Sequence, residues 1–135
     1  MEQVQSLKVL CIEDEPEMIE LIRLILGQYH IQVIGALGGR QGIEALSREK
    51  PDLVLLDIMM PEVDGWEVFR NLKADEFLKN TPVIVVTAKA QSIDKVLGLY
   101  IAKVDDYVTK PFGPQELVQS VQRVLEKHGK VFPSK

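Results

Sequence analysis

The chain is poor in several things, and each shortage removes a class of explanation. Its single cysteine, Cys11, can form no intrachain disulfide, which excludes a disulfide-stapled secreted scaffold. No apolar run approaches the roughly 18 residues that a membrane span needs. The start, Met1-Glu2-Gln3-Val4-Gln5, lacks the basic n-region and apolar core of a secretory signal. A basic excess is missing too: 16 Lys+Arg stand against 20 Asp+Glu, a net charge of -4, which argues against broad binding to a nucleic-acid backbone. There are 2 histidines, and neither His30 nor His128 has a partner at ligand spacing, so surface or loop roles are expected of both. A cytoplasmic protein with no direct nucleic-acid or membrane binding is the expectation these absences leave.

What is present is ordinary globular composition, 46% hydrophobic and 27% charged over 135 residues, enough for one domain and too little for two large ones. Short β-rich apolar segments recur at Leu7–Ile12, Ile31–Ala36, Leu53–Leu56, Val83–Val86 and Val104–Val108. They lack in-out alternation, as strands covered on both faces do, and each is followed by a helix-like stretch. The clearest helix runs from Pro114 to Lys127, with Leu117, Val118, Val121, Val124 and Leu125 on one face. Another starts after Asp14-Glu15-Pro16, an acidic cap with proline in the first turn. Asp64-Gly65-Trp66-Glu67 resembles a capping box, which puts Trp66 part-exposed on a first turn. A less regular pattern over Ser92–Ala102 predicts one more helix, with Leu99 outside its apolar face. Strand-helix alternation of this length predicts an α/β fold, a doubly wound five-stranded parallel sheet with helices on both faces.

In such sheets, ligands bind beyond the carboxyl ends of the strands, where strand order reverses. The polar residues that close strands one, three, four and five are Glu13-Asp14, Asp57, Thr87 and Lys110, so all of them are expected at one edge. Three carboxylates gathered in a low-dielectric cleft repel one another, and a divalent cation with oxygen ligands, Mg²⁺ or Mn²⁺, is the simplest remedy. A lysine and a hydroxyl beside such a site supply charge and a donor for phosphoryl oxygens. With no serine or cysteine paired to a base, the nucleophile is expected to be a carboxylate, and Asp57 on the middle strand is the candidate.

Glu13-Asp14, Asp57 within Leu55-Leu56-Asp57-Ile58-Met59-Met60-Pro61, Asp64-Gly65, Thr87-Ala88 and Asp105-Asp106-Tyr107-Val108-Thr109-Lys110-Pro111-Phe112 together resemble the signature set of bacterial response-regulator receiver domains, over residues 7–127. Residues 128–135 then form a short tail. The resemblance implies that Asp57 accepts a phosphoryl group from a phosphohistidine on a sensor histidine kinase or a histidine phosphotransfer protein. It implies that Glu13, Asp14 and Asp57 hold Mg²⁺, with the Met59 main-chain carbonyl as a further ligand. Lys110 then pairs with the phosphoryl group and its bond to Pro111 is cis; Thr87 is the switch hydroxyl, and Tyr107 the aromatic that follows it. Strand order 2-1-3-4-5 is implied as well. So is an output surface built from the 92–102 helix, the fifth strand and the C-terminal helix, which meets a downstream effector protein or a second copy of the chain.

Other readings fit less well. A haloacid-dehalogenase-type phosphatase needs a second Asp two residues after its nucleophile, where Met59 stands. A flavodoxin-like binder meets an acidic loop after strand one, which repels a flavin phosphate. A pseudo-receiver is opposed by the intact Asp57, Thr87 and Lys110. Gly39-Arg40-Gln41-Gly42 matches an RNA-binding GXXG loop only in pattern, and the charge is wrong, so a helix-start turn is preferred. Gly35, Gly38 and Gly39 do not form a dinucleotide fingerprint. After Lys127, too few residues remain for a helix-turn-helix module. Both a free-standing switch and the receiver piece of a longer regulator stay open.

The sequence departs from the family at Lys103-Val104, where a Gly-Ala pair is usual, which places the standard form of the output surface in question. It departs again at Met59 and Lys89, two residues beyond the phosphoacceptor and the switch hydroxyl. Neither side chain orients an attacking water as an amide does. Self-catalysed dephosphorylation is therefore expected to be slow, with a radiolabelled phosphoryl group persisting for minutes or longer; decay within seconds overturns that reading.

Overall fold

A computed structural model describes residues 6–61, 63–88 and 104–135. The elements follow in the order β1 (Lys8–Glu13), α1 (Pro16–Gly27), β2 (Gln32–Leu37), α2 (Gly39–Glu49), β3 (Leu53–Leu56), α3 (Gly65–Ala74), β4 (Val83–Thr87), β5 (Asp106–Thr109) and α4 (Pro114–Lys127). All neighbouring strands are parallel, and the sheet order is β2-β1-β3-β4-β5. This is the doubly wound, flavodoxin-like sheet that the alternation and the family resemblance predict. The helix predicted over 92–102, with Leu99, and the position of Lys89 lie outside the described residues.

Burial explains why some strands read clearly and others do not. β3 and β4 are buried along their whole length, as is β1 beyond Lys8, whereas the edge strands β2 and β5 mix buried with half-buried and exposed positions. An edge strand has a neighbour on one side only, so part of its surface stays wet. Successive residues of β1 feed opposite layers. Val9 and Cys11 pack with Ile22, Leu26, Leu55, Ile84, Val121 and Leu125 on the α1/α4 side. Leu10 and Ile12 pack with Leu46, Leu56, Phe69, Leu72 and Val85 on the α2/α3 side. Burial pushes the Cys11 thiol up to about 12, which makes it a core residue rather than a reactive one.

Strand limits differ from the apolar runs by a residue or two. β1 and β2 each begin and end one residue later, and β4 takes in Thr87. β5 starts at Asp106 instead of Val104. Apolarity marks burial, while the ladder follows backbone hydrogen bonds that polar residues make equally well. Glu13 and Thr87 are therefore the last residues of their strands instead of the first residues beyond them.

The helix starts follow local chemistry. Proline occupies the first turn of α1 and of α4. In α4, the Glu116 carboxylate accepts the Gly113 N–H at 3.1 Å. Asp64 caps α3 by accepting the Glu67 N–H at 3.0 Å. α2 begins at Gly39, as the helix-start reading of its glycines requires. Trp66 is buried, contrary to the part-exposed position predicted for it. Its ring meets Phe69 edge-on at 5.8 Å, because the first turn of α3 presses against the sheet.

The segment after α4 is docked onto the domain. His128 Nε2 lies 2.9 Å from Asp105, and Lys130 Nζ donates to Asp52 at 3.1 Å. Phe132 packs on Tyr29 with ring centroids 5.1 Å apart. The two aspartates each use their other oxygen on a strand start, Asp52 on Lys8 N and Asp105 on Val83 N, both at 2.8 Å.

One close approach positions the loop after β3. A Cβ on Gly65 would lie 2.4 Å from both the Asp57 carbonyl oxygen and Ile58 Cα, so only glycine lets α3 start against that loop. Gly65→Ala is accordingly expected to lower stability by about 1–3 kcal/mol in urea unfolding, whereas Gly27→Ala, where a Cβ meets nothing within 4 Å, leaves the packing untouched.

Candidate functional site

The parallel register brings the predicted residues to one edge. Ile12 pairs with Leu56, so Glu13 and Asp57 leave the sheet side by side, and the Asp57 N–H still donates to the Ile12 carbonyl at 3.0 Å. Thr87 pairs with Thr109, and the Lys110 N–H donates to the Thr87 carbonyl at 2.8 Å. The site therefore sits over β1, β3, β4 and β5, at the reversal of strand order beside β1.

Carboxylate oxygens of Glu13, Asp14 and Asp57 all lie within 4.8 Å of one another. Glu13 and Asp57 are 2% and 4% exposed. Lys110 Nζ donates to Glu13 Oε1 at 2.6 Å and to Asp57 Oδ2 at 3.4 Å. The other Glu13 oxygen accepts the main-chain N–H groups of Asp14 and Glu15, at 3.1 and 3.2 Å. The other Asp57 oxygen accepts the Met59 N–H at 2.9 Å, so Met59 joins the site through its backbone while its side chain is exposed.

One ammonium cannot balance two buried carboxylates with a third, Asp14, at the surface beside them. Burial pushes the Glu13 carboxyl up to about 7, with the Lys110 hydrogen bond opposing the rise and the Asp57 charge adding to it. Burial works against the Lys110 charge as well, but the Glu13 hydrogen bond and the Asp57 and Glu13 charges outweigh it and raise its pKa. An all-oxygen donor set with surplus negative charge fits a hard divalent cation, so Glu13, Asp14 and Asp57 are the residues that could hold one.

Thr87 Oγ1 is fully buried and has no hydrogen-bond partner among the described residues. A buried hydroxyl without a partner keeps an unused donor. Tyr107 lies apart, exposed on β5 opposite Val85. The Lys110–Pro111 peptide is cis. The structure thus gathers Glu13, Asp14, Asp57, Lys110, Thr87 and the Met59 backbone. One residue was not read as part of this edge from sequence: the Glu15 carboxylate comes to 3.5 Å from Lys110 Nζ. The run Glu13-Asp14-Glu15 carried the signal, but an acid just before a helical proline reads first as a cap.

A parallel sheet in this order, with an acidic trio, a lysine and a buried hydroxyl at its carboxyl edge, defines a phosphoryl-handling switch fold. The chain belongs to the response regulator receiver domain family, whose model matches residues 9–122. It is 37% identical over 127 residues to the alkaline phosphatase synthesis transcriptional regulatory protein PhoP of Bacillus subtilis, covering 94% of this chain and 52% of that one. It is 38% identical over 121 residues to the phosphate regulon transcriptional regulatory protein PhoB of Pseudomonas aeruginosa, covering 90% of this chain and again 52% of the relative. The chain therefore spans about half the length of the curated relatives it matches. Among solved structures, it resembles the receiver domain of the sensor histidine kinase PA1611 of Pseudomonas aeruginosa, with TM-score 0.81 and 30% identity over 90% of this chain and 99% of that one. That structure holds a magnesium ion in its active-site cleft.

The crowding of charge has a measurable consequence. Asp57→Asn removes one of three mutually repelling carboxylates, so the metal-free variant is expected to melt roughly 2–6 °C above the parent chain in chelator. Millimolar Mg²⁺ should shrink that gap by stabilising the parent more; equal melting temperatures in chelator overturn the account.

Proposed function

We propose that this receiver domain is a phosphoacceptor switch of a two-component relay, loaded at Asp57 by a sensor histidine kinase or a histidine phosphotransfer protein. An Asp57 carboxylate oxygen attacks phosphorus, the new O–P bond forms as the N–P bond to the donor imidazole breaks, and the imidazole nitrogen takes up a proton. The reading rests on one observation above all: Lys110 Nζ bridges Glu13 and Asp57, and Thr87, whose carbonyl accepts the Lys110 N–H, carries a buried hydroxyl with no partner among the described residues. Lys110 is then set to pair with phosphoryl oxygens, and Thr87 to donate to one of them.

Glu13, Asp14 and Asp57, with the Met59 carbonyl, are the proposed Mg²⁺ ligands, and Mn²⁺ suits the same oxygens. The bound cation supplies charge neutralisation and orientation for the phosphoryl oxygens. Phosphorylation adds about -1.5 to -2 charges and three acceptor oxygens. Thr87 is proposed to swing toward them and Tyr107 to follow into the vacated space. Moving a mostly inactive population to a mostly active one takes roughly 5 kcal/mol of preference for the active state.

The proposed output is control of a partner through the face that includes β5 and α4, either a downstream effector, a second copy, or an output domain of a longer regulator. Two named relatives are transcriptional regulators of about twice this length, which supports the last of these equally. Among the described residues no helix is long and apolar enough to cross a membrane, and a cytoplasmic site of action is part of the proposal. The domain is assigned residues 7–127, and its chemistry is limited to its own phosphorylation and slow dephosphorylation, with no turnover of a separate substrate.

Acetyl phosphate with Mg²⁺ is expected to label the parent chain, and Asp57→Asn to abolish the label. Labelling of that variant at the parent rate overturns the proposal. Thr87→Ala should still be labelled but lose the fluorescence or chemical-shift change that follows phosphorylation.

A further inference from the structure

Glu15 stands one residue beyond the acidic pair, at the N-cap of α1. Short polar side chains such as Asp, Asn and Ser at that position usually accept a main-chain N–H of the first turn, and Glu is not among those preferred caps. The Glu15 side chain makes no capping hydrogen bond, and the Met18 and Ile19 N–H groups go to its main-chain carbonyl. The carboxylate instead reaches across the mouth of the site to Lys110 Nζ at 3.5 Å. Its backbone is held for this, since the Glu15 N–H donates to Glu13 Oε2, the carboxylate whose other oxygen holds Lys110.

An ammonium has three N–H donors, and three carboxylates stand around this one: Glu13 at 2.6 Å, Asp57 at 3.4 Å and Glu15 at 3.5 Å. An incoming phosphoryl group must win a Lys110 donor from this set. Glu13 and Asp57 are buried, so a charge left unpaired there is costly; the Glu15 side chain is 60% exposed and can be given back to water. We infer that Glu15 is a positioning residue that holds Lys110 toward the mouth before phosphorylation, competes with the phosphoryl group for it, and so slows loading of Asp57.

This inference rests on the phosphoacceptor reading, and it concerns reach rather than charge alone. Glu15→Gln removes the charge. Glu15→Asp keeps the charge but shortens the arm, taking the carboxylate away from Lys110. Both variants are expected to be labelled by acetyl phosphate faster than the parent, by roughly two- to fivefold, the range of an exposed ion pair. In the metal-free, unphosphorylated protein, the Lys110 ε-methylene resonance should shift in both variants, a readout that a purely structural cap would not move. A faster Glu15→Gln with Glu15→Asp at the parent rate means that only the charge at the mouth matters, and overturns the inference. So does parent-like labelling of both, or an unmoved Lys110 resonance. If the parent chain takes no label at all, the phosphoacceptor reading falls and takes this inference with it. The two failures are told apart by whether the parent is labelled.

Discussion

The lysine between Glu13 and Asp57 is the contact on which the site depends. It joins the end of β1, the exit of β3 and the exit of β5, three points far apart in the chain, through one Nζ atom. Without that ammonium, two buried carboxylates would face each other with only main-chain N–H groups to hold them. With it, burial still raises the Glu13 pKa, the Lys110 hydrogen bond opposes that rise, and the Asp57 charge adds to it. The gathered oxygens of Glu13, Asp14 and Asp57 form a donor set that could hold a cation.

The sheet supplies the rigidity this arrangement needs. β3 and β4 are wholly buried and β1 nearly so, packed from both faces, so the residues at their carboxyl ends have little freedom to separate. Gly65 lets α3 begin against the Asp57 loop, and Asp64 caps that helix from the adjoining position. At the opposite edge, Asp52 and Asp105 each divide their oxygens between a strand start and the segment after α4. One edge of the sheet therefore carries paired, satisfied charges and the other carries unbalanced ones.

Much of this was legible in the residues. The central strands are short apolar runs because both of their faces are covered, and α4 shows its buried stripe at helical spacing. The ordered acids, threonine and lysine at strand ends identified the edge, and the family motifs ordered the sheet. Strand ends were less legible, because Glu13 and Thr87 keep the backbone ladder while carrying polar side chains. Trp66 was misplaced because a capping box tells where a helix starts and nothing about which face of its first turn meets the sheet. Residues 128–135 read as a tail, since Lys130 and Phe132 find Asp52 and Tyr29 only across long stretches of chain.

Local periodicity, capping chemistry and motif spacing were enough to name the described strands and helices and the polar groups at their ends. Tertiary structure alone decided which group each of them meets. Nothing local selects the partners of Lys110; it reaches Glu13 at 2.6 Å and Asp57 at 3.4 Å because the parallel order β1-β3-β4-β5 brings the carboxyl ends of these strands to one edge. Glu15 turned from a helix cap into a neighbour of that lysine for the same reason. Local chemistry offers each residue several partners, and only the packed sheet leaves one of them within reach.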